Sequence, residues 1–497
     1  MKKVRTRFAP SPTGPFHVGS ARTALFNYLF TRKSGGVFVL RIEDTDKERS
    51  NSKYEEDIIR SLEWLGIDWD EGVEKGKYGP YRQSERGEVY KKYLKQLLEE
   101  GKAYRCYCSA KDLEKEREEQ RKRGEAPRYS GKCAQLKKEK EGDFVVRFRL
   151  PQKEEIHFKD LIRKEVSFKV EDIGDFVIGK SDFSPLYNFA VVVDDHEMQI
   201  THVIRGEDHI SNTPRQIVLQ EALDFHTPYY AHLPLILGPD KSKLSKRHAA
   251  VSMYEYREKG YLPEAMINFL SFLGWNPGGE REIYSLEEII KEFDIERCKK
   301  GGAVFNIKKL DSINGEYIRS KDSEELAKMC IPFLVNSGLL YVEWEEEQFV
   351  PAYGGKELTS SLFDKDGKEV KMEKISQVVS ICKERMRNLA EITELADYFF
   401  IEVEYDKELL QWKDMSTEEI HSSLEKGIEA ISRIENWELS EIEEVLTKEA
   451  GENKGPFLWP FRVALSGKKA SAGPFEIAWV LGREETLKRL KKAKNKL

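Results

Sequence analysis

No run of eighteen apolar residues occurs anywhere in the chain, so a membrane-spanning helix is not expected. The N-terminus, MKKVRTRFAPSPTG, starts basic but lacks the apolar stretch of a secretory signal. Cysteine is scarce, with six in 497 residues. That is too few for a disulfide scaffold, and a reducing, cytoplasmic setting is the default expectation. An excess of positive charge is missing as well: 82 Lys and Arg stand against 88 Asp and Glu, a net charge of −6. With this balance, nucleic acid can be bound only by gathering positive charge on one face. There is no internal repeat and no low-complexity tract beyond charge-rich helices. What remains is a globular composition, 34% charged and 39% hydrophobic, long enough for about three or four domains.

The first hundred residues alternate in type. VRTRFAP reads as a strand. The next segment, HVGSARTALFNYLFTRKSGG, places Ala21, Ala24, Leu25, Tyr28 and Leu29 on one helix face, with Gly35 and Gly36 as the stop. VFVLRIE is apolar almost throughout, as a buried parallel strand should be. SKYEEDIIRSLEWLG follows, with Ser52 and Glu55 at capping-box spacing and Gly66 as the stop. This β-α-β-α order predicts an α/β fold with a doubly wound, parallel, Rossmann-type sheet.

From about 100 to 185 the pattern changes. KDLEKEREEQRKRGE is a very polar helix, and FVVRFRL and EVSFKV read as antiparallel strands. The segment is read as an α+β insertion that splits the sheet domain. Alternation resumes at LYNFAVVVDD and ITHVIRG, and a helix follows with Thr213 as cap, Pro214 at its first position and Gln216 completing a capping box. Beyond about 255 the chain reads as mostly helical; LPEAMINFLSFLGW, LEEIIKEF and FEIAWVLGREETLKRLKKA are the clearest pieces. Residues 341–375 read as irregular, with an acidic run at Glu343–Glu347 broken by Trp344.

Two segments carry chemistry. RFAPSPTGPFHVGS, Arg7 to Ser20, packs three prolines and two glycines between a strand and a helix. Glycines permit close backbone approach, and free N–H groups at a helix start attract anions. His17 adds a donor there. The second segment is KSKLSKRH, Lys241 to His248, a basic loop after the second half of the split sheet. Ligands of such sheets bind outside the strand ends. A helix start with a histidine, facing a lysine pair, makes a clamp for a polyphosphate.

HVGS and KLSKR resemble the two signature motifs of class I aminoacyl-tRNA synthetases. RFAPSPTGPFHVGSARTALFNYLF, RIEDTD, GPYRQSER, YNFAVVVDDHEMQITHVIRGEDHISNTP and GGAVFNIKKL are similar to bacterial glutamyl-tRNA synthetases in particular. The resemblance runs from Arg5 to Arg319 and continues more loosely to the C-terminus. Ser20 stands where the family signature nominally has histidine, a position where the glutamate branch commonly has a small residue. Shortened relatives that glutamylate a modified tRNA base lack the helical C-terminal region that this chain has. A non-catalytic paralogue could afford to lose His17, Lys243 or Lys246, and all three are present. Glutaminyl siblings usually end in β-barrels.

The resemblance implies activation of L-glutamate by ATP with Mg2+, then transfer to the 3′ end of tRNA(Glu), in a monomeric protein. Such chemistry needs positioning and charge stabilisation more than a dedicated nucleophile. It implies domains at 1–99 (first half of the sheet domain), 100–185 (inserted, acceptor-binding), 186–240 (second half), 241–319 (KLSKR loop and stem contact) and 320–497 (helical, anticodon-binding). His17, Gly19, Asp208, Lys243, Ser245 and Lys246 would meet ATP. Arg7, Ala9, Ser11, Glu43, Tyr187 and Arg205 would form the glutamate site, with Arg7 and Arg205 on the carboxylates and Glu43 on the ammonium. An amide in a pocket built for a carboxylate leaves arginine charge unpaired, which costs roughly 2–5 kcal/mol. Val191 stands where some members have an asparagine that lines the site. Arg385 matches a position where members restricted to glutamate tRNA carry arginine; a helix-surface arginine in a salt bridge is the other reading. LKRLKKAKNKL reads either as a phosphate contact or as a frayed solvated helix end.

Cys106, Cys108 and Cys133 match the cysteines of zinc-binding relatives. Gln135 replaces the histidine that some of these use, and Tyr129 is the tyrosine that others use. Two readings stand: a structural zinc held by Cys106, Cys108, Tyr129 and Cys133, or reduced thiols without metal.

Overall fold

The computed structural model describes residues 3–125, 127–136, 141–244, 252–342 and 361–497. It divides into two compact units, Met1–Tyr256 with Pro263–Leu310, and Arg257–Leu262 with Asp311–Leu497. Ser245, Lys246 and the acidic run Glu343–Glu347 lie outside the described residues.

The first unit opens with strand β1 (Arg5–Phe8), helix α1 (Val18–Lys33) and strand β2 (Val37–Leu40). β1 and β2 pair in parallel, from Arg5↔Val37 to Phe8↔Leu40. Every β1 residue is buried, two arginines included. Buried charge needs a partner, and Arg5 forks onto Glu71 with contacts of 3.0 and 2.9 Å. The apolar face of α1 is buried as the spacing predicts, with Ala21, Ala24, Leu25 and Leu29 fully inaccessible. Helix α2 (Ser52–Trp64) starts one residue earlier than expected: Asn51 is its cap, accepting from the Lys53 amide at 2.9 Å. Glu55 therefore falls one position too late for a capping box, and it binds Arg82 at 2.7 Å instead.

After helix α3 (Gly87–Glu99) come β3 (Ala103–Cys106), the polar helix α4 (Ala110–Lys122), β4 (Val145–Phe148), β5 (Glu155–Asp160), β6 (Lys164–Lys169), the single turn α5 (Val170–Ile173) and β7 (Phe176–Lys180). β4 lies between β3 and β7 in an antiparallel sheet, and β5 with β6 forms an antiparallel hairpin. FVVRFRL and EVSFKV are thus both antiparallel strands, each with its own partners.

Helix α6 (Tyr187–Glu197), strand β8 (His202–Gly206), helix α7 (Thr213–Ala222) and strand β9 (Tyr229–Leu233) complete the sheet domain. The valine-rich run in LYNFAVVVDD is helical and buried from Phe189 to Asp195. β8 and β9 pair in parallel, and β9 pairs in parallel with β5 at Asp160↔Tyr230. The hairpin β5–β6 is therefore part of the same sheet, whose order is β6-β5-β9-β8. β1 lies beside β8, joined by the Thr201 amide to the Arg5 carbonyl at 2.9 Å. Beyond β2, parallel bridges at Val39↔Glu71 and Ile42↔Arg82 extend the other side. The chain moves outward from β1 in one direction first and in the other later, so a topological switch point lies between β1 and β8.

Thr213 does not cap α7. A 3₁₀ turn, Glu207–Asn212, runs straight into that helix, so the backbone at Thr213 is already helical. Its hydroxyl accepts from Arg205 Nη2 at 2.8 Å instead.

The second unit is built from helices Ser323–Asn336, Met372–Cys382, Thr417–Arg433, Leu439–Ala450, Gly455–Ser466, Pro474–Leu481 and Arg483–Lys496, with shorter turns between them. A small antiparallel ladder, Tyr341–Val342 with Leu362–Phe363, falls in the stretch read as irregular, and the helix from Met372 takes up its end. FEIAWVLGREETLKRLKKA is two helices, broken at Gly482, whose φ of +81° suits glycine. The C-terminal helix is packed rather than frayed. Leu490 and Ala493 are inaccessible, and the buried Arg489 donates to the Tyr398 and Leu465 carbonyls at 2.7 and 2.6 Å. No helix among the described residues is long and apolar enough to cross a membrane.

Candidate active site

β1 ends in Arg7 and Phe8, and β8 ends in Arg205 and Gly206, on either side of the switch point. A cavity of about 640 Å³ opens there. Arg7, Ala9, Ser11, Glu43, Tyr187 and Arg205 line it, and so do His17, Gly19, Asp208 and Lys243. Every described residue assigned to ATP or glutamate from sequence thus faces one cavity. Val191 is not among its lining residues; it is 1% exposed and packed in the apolar core.

The proline-rich loop between β1 and α1 is pinned by hydrogen bonds from several segments. The Pro10 and Pro12 carbonyls accept from the Glu43 and Asn51 amides at 2.9 and 3.0 Å, and the Phe16 amide donates to Asp57 at 2.8 Å. His17 is the cap of α1. Its Nδ1 accepts from the Gly19 and Ser20 amides at 3.1 and 3.3 Å. Two of the helix-start N–H groups expected to be free for an anion are therefore held by the His17 ring. That ring presents Nε2, with Ser20 Oγ 3.4 Å away. Burial, then Lys243, hold the His17 pKa below its ordinary value, which keeps the ring neutral.

Lys243 closes a turn that begins at Gly238. Asp240 accepts from the Ser242 amide at 2.9 Å, Lys243 bridges back to Leu237, and its ammonium lies 3.7 Å from Asp208. Both members of that pair are half-exposed or more, so their attraction is weak and easily exchanged. Gly206 has its own constraint. A Cβ there would lie 2.4 Å from an Asp208 oxygen, so only glycine lets Asp208 fold back over the end of β8.

Beneath the cavity floor, charges alternate. Arg7 Nε binds Asp195 at 3.2 Å, Arg41 binds the same Asp195 oxygen at 2.7 Å, and Arg41 Nη2 binds Glu43 at 3.0 Å. Burial pushes the Glu43 carboxyl up, with Arg41 and Arg7 opposing. Burial also raises Asp195, but Arg7 and Arg41 outweigh it and leave Asp195 below its ordinary value. Arg205 is fixed on one edge, by Thr213 Oγ1 at 2.8 Å and His232 Nε2 at 3.2 Å, and its Nη1 is buried without a partner. His209 completes the wall, 3.1 Å from the Tyr187 hydroxyl, its pKa lowered to about 4 by burial and then Arg205.

Sequence reasoning passed over Arg41, Asp195 and His209, although each lies in a quoted segment, RIEDTD, VVVDDHE or GEDHISN. His232 and Asp160 carried no local signal.

Cys106, Cys108 and Cys133 have their sulfurs within 4.8 Å of one another. Cys108 and Cys133 are 3.6 Å apart, and the Tyr129 hydroxyl lies 3.4 and 3.5 Å from Cys106 and Cys108. A tetrahedron with zinc–sulfur bonds of about 2.3 Å has edges of about 3.8 Å. The separations of 3.4, 3.5 and 3.6 Å are close to such edges, so Cys106, Cys108, Cys133 and Tyr129 could hold a metal ion. Gln135 is exposed and outside it.

Arg385 ends the 3₁₀ turn Lys383–Arg385 in the second unit, is exposed, and forms no ion pair among the described residues.

The chain matches the family described as tRNA synthetases class I (E and Q), catalytic domain, over residues 3–312, and an anticodon binding domain family over residues 325–494. It is 44% identical to glutamate–tRNA ligase 1 of Caldicellulosiruptor saccharolyticus, covering 98% of both chains. The chain belongs to the glutamate–tRNA ligases. The glutamate–tRNA ligase of Carboxydothermus hydrogenoformans is likewise 44% identical, over 98% of this chain and 99% of its own. A crystal structure of a glutamate tRNA ligase from Elizabethkingia meningosepticum, in complex with its amino acid, superposes with a TM-score of 0.86 at 33% identity and full coverage of both chains. The ligase thus has the class I catalytic fold followed by a helical anticodon-binding region, as its sequence pattern predicts.

Proposed function

We propose that the cavity between β1 and β8 activates L-glutamate with ATP, and that the glutamyl group then passes to the 3′ end of tRNA(Glu). The observation that carries this reading is the pair Arg7 and Arg205, both lining the cavity and each fixed on one edge by a buried partner. Arg205 also has an unpartnered buried nitrogen. A carboxylate suits such a fork because it accepts two parallel N–H bonds. Glu43, held by Arg41, takes the substrate ammonium. Tyr187, Ala9 and Ser11 shape the rest of the amino-acid end. His17, Gly19, Asp208 and Lys243 take the nucleotide end, with Mg2+ arriving on the ATP phosphates. Ser245 and Lys246 belong to the same reading through the KLSKR motif. Arg385, exposed and in no ion pair among the described residues, reads the tRNA anticodon, and the ligase acts as a cytoplasmic monomer.

Glutamate-dependent ATP–pyrophosphate exchange tests the reading. It should be fast when tRNA(Glu) is present and slow without it. Absence of exchange under both conditions would remove the assignment of this cavity, and equal exchange without tRNA would remove the tRNA requirement.

A structural zinc at Cys106, Cys108, Tyr129 and Cys133 is part of the same proposal, supported by the close grouping of the three sulfurs and the Tyr129 hydroxyl. Metal analysis of the purified protein should find about one zinc per chain, and Cys106→Ser should abolish it. Less than about 0.2 zinc per chain in the unaltered protein would favour unmetallated thiols.

A further inference from the structure

We infer that His232 and Asp160 form a positioning pair for Arg205, setting the guanidinium that receives the substrate carboxylate. This rests on the assignment of Arg205 to glutamate. The three side chains come from three strands of one sheet: Asp160 ends β5, Arg205 lies in β8 and His232 in β9. Asp160 and His232 are both fully inaccessible, and neither faces the cavity.

The hydrogen bonds admit one consistent proton arrangement. Asp160 accepts from the Ile162, Arg163 and His232 amides at 2.9, 2.7 and 3.1 Å, and meets His232 Nδ1 at 2.6 Å. A carboxylate with three amide donors is ionised, so Nδ1 carries the ring proton and donates it to Asp160. Nε2 is then a lone pair. It accepts from Arg205 Nε at 3.2 Å and lies 3.1 Å from the Thr213 hydroxyl. The Thr213 hydroxyl accepts in turn from Arg205 Nη2. One edge of the guanidinium is therefore consumed by two acceptors whose orientation traces back to Asp160, and Nη1 is left without a partner. A fork held this way cannot rotate about its long axis without breaking both bonds. If the ring carried its proton on Nε2, that N–H would oppose Arg205 Nε–H.

His232→Phe keeps the ring volume and removes the acceptor. Asp160 then still has its three amide donors, so the fold is retained. His232→Gln can return a carbonyl oxygen to the Nε2 position. Aminoacylation kinetics of the full-length ligase with tRNA(Glu), glutamate and ATP, run beside Arg205→Ala, separate the possibilities. We expect His232→Phe to raise KM for glutamate by about 10- to 100-fold, the span of one hydrogen bond to a charged group. Its KM for ATP and its kcat should stay within about threefold, and His232→Gln should recover most of the loss. Equal changes in all three parameters, or no recovery in His232→Gln, would make the pair merely structural. An unchanged glutamate KM in His232→Phe, with Arg205→Ala impaired, would overturn the inference alone. An unimpaired Arg205→Ala would overturn the assignment of Arg205 itself.

Discussion

His17→Ala should lower the rate of glutamyl-adenylate formation by about 10²- to 10³-fold, the usual loss when one preorganised donor to a developing anion is removed. The expectation comes from the ring's two nitrogens. Nδ1 is occupied as acceptor for the Gly19 and Ser20 amides. An accepting nitrogen carries no proton, so the neutral ring has its proton on Nε2. The helix cap thereby fixes the tautomer, and Nε2–H is a donor before any substrate arrives. Capping and donation can be separated by experiment. Loss of a cap costs about 1 kcal/mol of stability, and asparagine is a good cap with no group at the Nε2 position. His17→Asn should recover the melting temperature that His17→Ala loses while leaving pyrophosphate exchange low. Recovery of exchange in His17→Asn would reduce His17 to a helix cap.

Arg7→Gln should raise KM for glutamate by about 10²- to 10³-fold, and should erode the preference for glutamate over glutamine. The Arg7 guanidinium spends Nε on Asp195 and keeps its other nitrogens for the cavity it lines. Replacement does not strand Asp195, which still holds Arg41 at 2.7 Å, so the loss should appear in binding rather than in folding. Arg7→Lys is the informative companion. It keeps the charge but loses the planar fork, and fork and point charge are not interchangeable at a carboxylate. Steady-state kinetics with both amino acids, and a melting curve for each variant, check the expectation. A glutamate KM within about threefold of the unaltered ligase would take Arg7 out of the substrate site.

The parts legible in the sequence were those with local periodicity or local motif. Alternation of strand and helix gave the sheet, and His17, Lys243, Arg7 and Arg205 stood in short segments with recognisable spacing. Cap positions were less legible. Ser52 and Thr213 both have the chemistry of a cap, yet Asn51 precedes the first and a 3₁₀ turn runs into the second. A one-residue shift in where the backbone turns helical decides which side chain caps, and composition does not encode that shift. The supporting charges were not legible at all. Asp160 and His232 are 72 residues apart and meet only because β5 joins the edge of β9. Nothing in EEIHFKD or YYAHLPL marks one as the partner of the other. The same holds for Arg41 and Asp195, brought together across 154 residues.

That pairing of β5 with β9 bears on how freely this protein could be taken apart. A segment hung from a sheet by two loops can be lost, exchanged or lengthened with little consequence for its host. Here the stretch between α3 and α6 supplies the neighbour on the open side of β9. Removing it would take away the strand that meets β9 at Tyr230 and leave that margin of the sheet without a neighbour, a condition under which strands recruit other chains and aggregate. The polar helix α4 takes no part in that contact, whereas the β5–β6 hairpin does, so a deletion that spares the hairpin should be tolerated better than one that includes it.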